Sequence, residues 1–155
     1  MRAMISVLIP ARDEAEALAG LLTTLVPAAV DGLVRDVVVA DEGASGAIAE
    51  LCEESGATLL RGSIAAAAAR GRGDWLMILS PQARLPVAWR EAVGEHVMRS
   101  TEPALLLPPP VGRWLADRRR DRSAGLLIRV RDFGGAQGDM SELRRRFSPG
   151  AVRIG

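Results

Sequence analysis

The sequence predicts a single α/β domain of doubly wound, Rossmann-like design, with a mostly parallel central sheet and helices on both faces. Three observations predict it. Four short apolar runs, at residues 5–9, 34–40, 58–60 and 75–79, are bounded by turn residues. Between them lie stretches with apolar residues at helical spacing, so the order reads βαβαβαβ, which a right-handed parallel sheet accommodates most simply. The runs are apolar without alternation, as strands covered on both faces are.

Residues 5–9 form the first strand, and Pro10 ends it. Asp13 is placed to cap the next helix, with Glu16 three residues on completing a capping-box-like pair. Ala15, Leu18, Ala19, Leu22 and Leu25 form the apolar stripe of that helix. Residues 27–32, from a proline to a glycine, read as a loop. After the second strand, Asp41-Glu42-Gly43 turns the chain, with Gly43 available for positive φ. A helix over residues 45–54 stops at Gly56. The third strand is followed by an alanine-rich helix over residues 63–69, small enough to lie flush on a sheet and ended by Gly71 and Gly73.

The run from Trp75 to Leu79 is the clearest strand of the chain. A loop over residues 80–86 leads to a helix over 87–99 that carries the sole histidine, His96, expected as a satisfied, partly buried imidazole. Residues 104–107 read as a fifth strand at the sheet edge, running into three consecutive prolines. Around Trp114 and Leu115 stand Arg113, Arg118, Arg119, Arg120 and Arg122, a basic amphipathic segment or loop. Residues 125–130 read as another strand and 141–147 as a short basic helix.

A chain of 155 residues supports one core, and 48% hydrophobic with 25% charged residues is the composition of a folded protein. The net charge of +1 is unevenly spread: residues 1–110 hold 9 arginines against 14 acids, and residues 111–155 hold 11 against 5. The basic third is expected either to meet an anionic ligand or a lipid headgroup surface, as a peripheral membrane contact, or to pair with the acidic part. Cys52 is the only cysteine, on the apolar side of its helix, which fits a core thiol and a reducing cytoplasm. No run has the roughly 18 uninterrupted apolar residues of a membrane span, so a soluble, cytoplasmic protein is expected.

Two motifs in order, Ile9-Pro10-Ala11-Arg12-Asp13-Glu14 and then Val37-Val38-Val39-Ala40-Asp41-Glu42-Gly43-Ala44-Ser45, carry a resemblance. The chain resembles the opening of a family 2 glycosyltransferase, where the first strand ends in Pro-Ala-x-Asn-Glu and the second in Asp-Asp-Gly-Ser. The resemblance implies the nucleotide-diphospho-sugar transferase fold and transfer of a sugar from a nucleotide-sugar donor to a hydroxyl acceptor. It divides the single domain into a nucleotide-binding half, 1–100, and a short basic acceptor-side half, 101–155. It places Pro10, Ala11, Arg12, Glu14, Asp41, Glu42, Ser80 and Gln82 around the donor. Carboxylates at the carboxyl edge of the sheet are well placed to accept hydrogen bonds from ribose hydroxyls or a base N–H. The structural alternative is that Asp13 and Glu14 serve the helix terminus and Asp41 starts a turn.

The chain departs from the family pattern in two places. At the end of the fourth strand the family has Asp-x-Asp, whose carboxylates hold manganese or magnesium; here the residues are Ser80-Pro81-Gln82, although Arg84-Leu85-Pro86 and Trp89 continue the pattern. Hydroxyl and amide oxygens are poor ligands for a hard divalent cation, so no metal ligand is assigned. Arg61-Gly62-Ser63 also passes straight into the alanine helix, shortening a loop that in the family closes over the nucleotide.

Gly138-Asp139, ahead of Leu143-Arg144-Arg145, is similar to the family's Glu-Asp motif. The resemblance makes Asp139 the general base for the acceptor hydroxyl; an Asp before a helix is also a common N-cap. Arg118 to Arg120 or Arg144 to Arg146 would then replace the metal at the departing diphosphate.

No glycine-rich dinucleotide motif, phosphate-binding lysine loop, Cys/His cluster or nucleophile elbow is present. With two Phe, three Trp and no Tyr, nucleic acid is not an expected partner. Two function classes follow: a glycosyltransferase-like enzyme, metal-independent or impaired, and a non-catalytic nucleotide-binding or protein-interaction module. Homo-oligomerisation is expected as a way to cover a sheet edge or finish the cleft.

Overall fold

The structure is a computed structural model and describes residues 4–43, 46–110 and 124–155. The segment 111–122, with its arginines, lies outside the described residues, as do Ala44 and Ser45. The chain runs β1 (Ile5–Ala11), α1 (Ala15–Asp31), β2 (Val34–Asp41), α2 (Gly46–Ser55), β3 (Thr58–Arg61), α3 (Ile64–Arg70), β4 (Trp75–Ile78), α4 (Trp89–Arg99) and β5 (Ala104–Leu106). It continues through β6 (Gly125–Arg129), a single turn α5 (Val130–Phe133), α6 (Met140–Phe147), a 3₁₀ turn (Ser148–Gly150) and β7 (Val152–Ile154).

The strands form one seven-stranded sheet in the order β3-β2-β1-β4-β6-β5-β7. β1 to β4 are mutually parallel, with Leu8 opposite both Val38 and Ile78. β6 runs antiparallel to β4 and β5, while β7 lies parallel to β5. The predicted fold class is therefore the observed one, a mostly parallel sheet with one reversed strand. One face is covered by α1, α2 and α4 through Leu18, Leu22, Leu25, Ile48, Cys52, Trp89 and Val93; the other is covered by α3, α5 and α6 through Ile64, Ala67, Phe133, Met140 and Leu143. Burial on both sides explains why the inner strands show no polar alternation.

Four local expectations are corrected. Residues 27–31 are helical: α1 continues through Pro27 to Asp31 and ends at Gly32, φ 87°. Leu25 and Ala28 are buried on either side of the proline, so packing outweighs a lost helical hydrogen bond. Asp13 and Glu16 do not form a capping pair. Glu14 occupies the N-cap position of α1 without a side-chain cap bond. Gly43 does not take positive φ. β5 is not an edge strand, because β7 pairs along its far side.

Gly71 and Gly73 follow α3 for a steric reason. A Cβ at Gly73 would stand 2.6 Å from the Met4 carbonyl oxygen and the Ser6 nitrogen, and one at Gly71 would stand 2.8 Å from the Ser6 side chain. The loop into β4 therefore crosses β1 at backbone contact distance. Ser6, fully buried, donates its hydroxyl to Asp36 and accepts the Gly73 amide hydrogen at 2.8 Å. Asp36 also takes the Arg72 amide at 3.2 Å. Cys52 is buried in the core, and burial raises the pKa of its thiol. His96 is buried, with Nε2 2.6 Å from the Glu102 carbonyl oxygen and its ring edge-on to Trp75.

Candidate functional site

The carboxyl ends of β1, β2 and β4 open into a cleft of about 240 Å³. Its walls are Pro10, Ala11, Arg12, Glu14, Glu42, Ile64, Ser80, Pro81, Gln82, Asp139 and Met140. The sheet puts them together: Ala11 stands opposite Asp41 in the β1–β2 register, the Glu42 amide donates to the Ala11 carbonyl at 3.2 Å, and the Leu79 amide donates to the Leu8 carbonyl at 2.9 Å. Parallel strands in register necessarily end along one edge, and their following turns share a rim.

Eight of the nine residues singled out from the sequence line this cleft; the ninth, Asp41, does not. Asp41 is buried at 5% exposure, and its Oδ1 accepts the Gly43 amide hydrogen at 3.0 Å, closing the turn after β2. Glu14 points its carboxylate back into the β1–α1 turn, where one oxygen accepts the Arg12 amide at 2.7 Å and the Asp13 amide at 3.1 Å. Those hydrogen bonds, the Arg12 amide foremost, hold its carboxyl below the ordinary value of 4.5 against a smaller opposing effect of burial. Across the rim, the Arg12 guanidinium stands 4.0 Å from the Glu42 carboxylate.

Asp139 enters from the opposite side as the N-cap of α6, its Oδ1 accepting the Glu142 amide at 2.9 Å. Gly138 before it sits at φ +124°, a conformation a glutamate would adopt only with strain. Arg144, one turn further on, donates to the Ala124 carbonyl at 3.2 Å; burial lowers its pKa, and the nearby Asp139 carboxylate opposes that. Arg146 lies over the Phe147 ring at 5.4 Å. Arg118 to Arg120 lie outside the described residues.

Three lining residues were not anticipated. Ile64 begins α3 immediately after Ser63, which caps that helix by accepting the Ala66 amide, and Met140 begins α6 immediately after Asp139. A cap residue followed by an apolar residue was the available signal in both places, since the cap sets the first helical side chain at the sheet rim. Pro81 is enclosed between Ser80 and Gln82, where the Ala83 amide closes a turn onto the Ser80 carbonyl at 2.9 Å.

The donor set does not fit a divalent cation. Glu14 is engaged by two amides, Asp139 by one, the end of β4 offers only a hydroxyl and an amide, and among the described residues no group of three or more His, Cys, Asp and Glu converges on one point.

The chain superposes on mannosyl-3-phosphoglycerate synthase from Rubrobacter xylanophilus with a TM-score of 0.63 at 12% identity, covering 84% of this chain and 55% of that enzyme. Glucosyl-3-phosphoglycerate synthase from Mycobacterium tuberculosis gives 0.61 at 18% identity as its complex with uridine diphosphate, covering 83% and 57%. The same enzyme with Mn²⁺, uridine diphosphate and glucosyl-3-phosphoglycerate gives 0.59 at 17%. This chain has the glycosyltransferase fold. It spans a little over half the length of those synthases. No family model matches the sequence, and no curated protein matches it.

Proposed function

We propose that the chain is a short, degenerate glycosyltransferase-like domain that takes a nucleotide-sugar into this cleft and passes the sugar to a hydroxyl acceptor. The observation that carries the reading is the convergence of Pro10, Ala11, Arg12, Glu14, Glu42, Ser80, Gln82 and Asp139, from four separate stretches of chain, on one opening. The turns after β1 and β2 are assigned to the nucleoside diphosphate of the donor, and α6 to the acceptor. In the transfer step the acceptor oxygen attacks the anomeric carbon and inverts it, the bond to the diphosphate breaks, and the nucleoside diphosphate leaves with the electron pair. Asp139 receives the acceptor proton, through the carboxylate oxygen not taken by the Glu142 amide. Arg12 supplies positive charge among the described lining residues, and the arginines of segment 111–122 are proposed as a further source toward the diphosphate or an anionic acceptor.

A second reading has its own support. The neutral end of β4 and the capping duty of Asp139 both fit a non-catalytic module that binds a nucleotide on the same fold. A thermal-shift series with UDP-, GDP- and dTDP-sugars, each with and without manganese, tests the common part. Stabilisation by one donor independent of manganese is the expected result; release of the free nucleoside diphosphate on adding acceptors then separates enzyme from binding module. A shift that requires manganese would overturn the metal-independent assignment, and no shift with any donor would overturn nucleotide binding.

A further inference from the structure

Arg12 and Glu42 face one another across the rim of the cleft at 4.0 Å, one from the turn after β1 and the other from the turn after β2. Two features hold the base of Arg12 there, and a third leaves its head free to turn. Its backbone amide is tied to the Glu14 carboxylate at 2.7 Å, so the residue leaves the strand tip from a fixed point. Its aliphatic stem lies along Gly43, where a Cβ would meet the Arg12 Cγ at 3.4 Å. Its head remains 69% exposed and reaches Glu42 only at the limit of an ion pair. Around it the described lining holds three carboxylates, Glu14, Glu42 and Asp139, and no second cation.

Among the described lining residues the carboxylates repel a diphosphate, and Arg12 alone offers it a guanidinium. An exposed pair at such a separation contributes from nothing to about 1 kcal/mol, so exchanging it is easy. A phosphate offers a guanidinium two parallel hydrogen bonds and more charge than a single carboxylate.

We propose that Arg12 is the phosphate-contacting residue of the cleft and that Glu42 is its resting counter-ion, displaced when a nucleoside diphosphate enters. The proposal rests on the nucleotide reading above and adds its charge switch. Arg12 thereby sets the preference for a phosphorylated ligand, since a nucleoside without phosphates gains nothing from it and leaves the pair closed, and Glu42 tempers that preference by competing for the guanidinium.

The test is calorimetric affinity for UDP, GDP and dTDP and for their nucleosides, with the full chain and its variants R12Q, R12K, E42Q and R12Q/E42Q. Arg12 and Glu42 are exposed, so the variants are expected to fold as the parent does. For the nucleotide that binds, R12Q is expected to weaken the diphosphate about tenfold or more and to leave its nucleoside within about twofold, with R12K between. E42Q is expected to tighten the diphosphate about threefold, and the double variant to match R12Q within about twofold, because the direct repulsion from exposed Glu42 is largely screened by salt and its main effect passes through Arg12. If the diphosphate binds but R12Q weakens diphosphate and nucleoside alike, or E42Q leaves the diphosphate unchanged, the switch is overturned while nucleotide binding stands. If no nucleoside or nucleotide binds the parent chain, the nucleotide reading itself falls.

Discussion

The carboxylate of Asp139 accepts the Glu142 amide hydrogen at 2.9 Å while standing on the wall of the cleft, so one side chain caps a helix and lines the opening. The two duties separate by substitution. Asn caps about as well as Asp, whereas Ala removes the cap at a cost of about 1 kcal/mol. Asp139→Asn should keep stability and nucleotide binding but lose sugar transfer, and Asp139→Ala should lose both transfer and about 1 kcal/mol in urea denaturation. Transfer surviving in Asp139→Asn would leave the residue with capping alone.

The Glu14 carboxylate, held low chiefly by the Arg12 amide, links the β1–α1 turn to pH. A group whose folded pKa is depressed contributes stability that is present above its unfolded value and lost as pH falls through the folded one. The difference in stability between parent and Glu14→Gln should therefore be full at pH 7 and shrink below about pH 4.5. Parallel stability curves for the two proteins from pH 7 to pH 3 would show that the turn does not depend on the charge.

Ser6 and Gly73 seal the amino-terminal edge of the sheet. Ser6→Ala strands the buried Gly73 amide and one oxygen of Asp36, and should cost about 1–3 kcal/mol. Gly73→Ala forces a methyl group against the backbone of Met4 and Ser6, which cannot retreat as a flexible side chain would. It should cost about 2 kcal/mol or more, read as a lower urea midpoint or loss of soluble protein.

Pro27 lies inside α1 on its exposed side, where its missing N–H leaves a helical acceptor without its partner. Pro27→Ala restores that hydrogen bond and a better helix former, so the melting temperature should rise, with a gain of up to about 3 kcal/mol. An unchanged or lowered melting temperature would mean that the helix is bent to suit the proline.

Where the sequence was read wrongly, the cause lay at junctions. Pro27 and Gly32 read as the ends of a loop because local propensity says nothing about the burial of Ala28 against the sheet. Asp13 read as a cap because a polar residue before an apolar stripe is the usual signal; in the fold, Glu14 takes the neighbouring amides from the other side. The last strand, β7, was not recognised at all. Three residues carry too little pattern, and its partner β5 lies almost fifty residues earlier in the chain.

By itself the sequence determined the alternation of buried strands and amphipathic helices, hence the fold class, because apolar periodicity is a local property of neighbouring residues. It also pointed to the strand tips, where Pro10, Glu14, Glu42 and Ser80 line one cleft. Tertiary structure alone decided which side chains share the opening: Asp41 is turned inward to close its own turn, while Ile64, Pro81 and Met140 complete the wall. The pairing of Arg12 with Glu42 was likewise settled only by strand register, since it depends on two turns that are distant in the chain and adjacent only when β1 and β2 lie side by side.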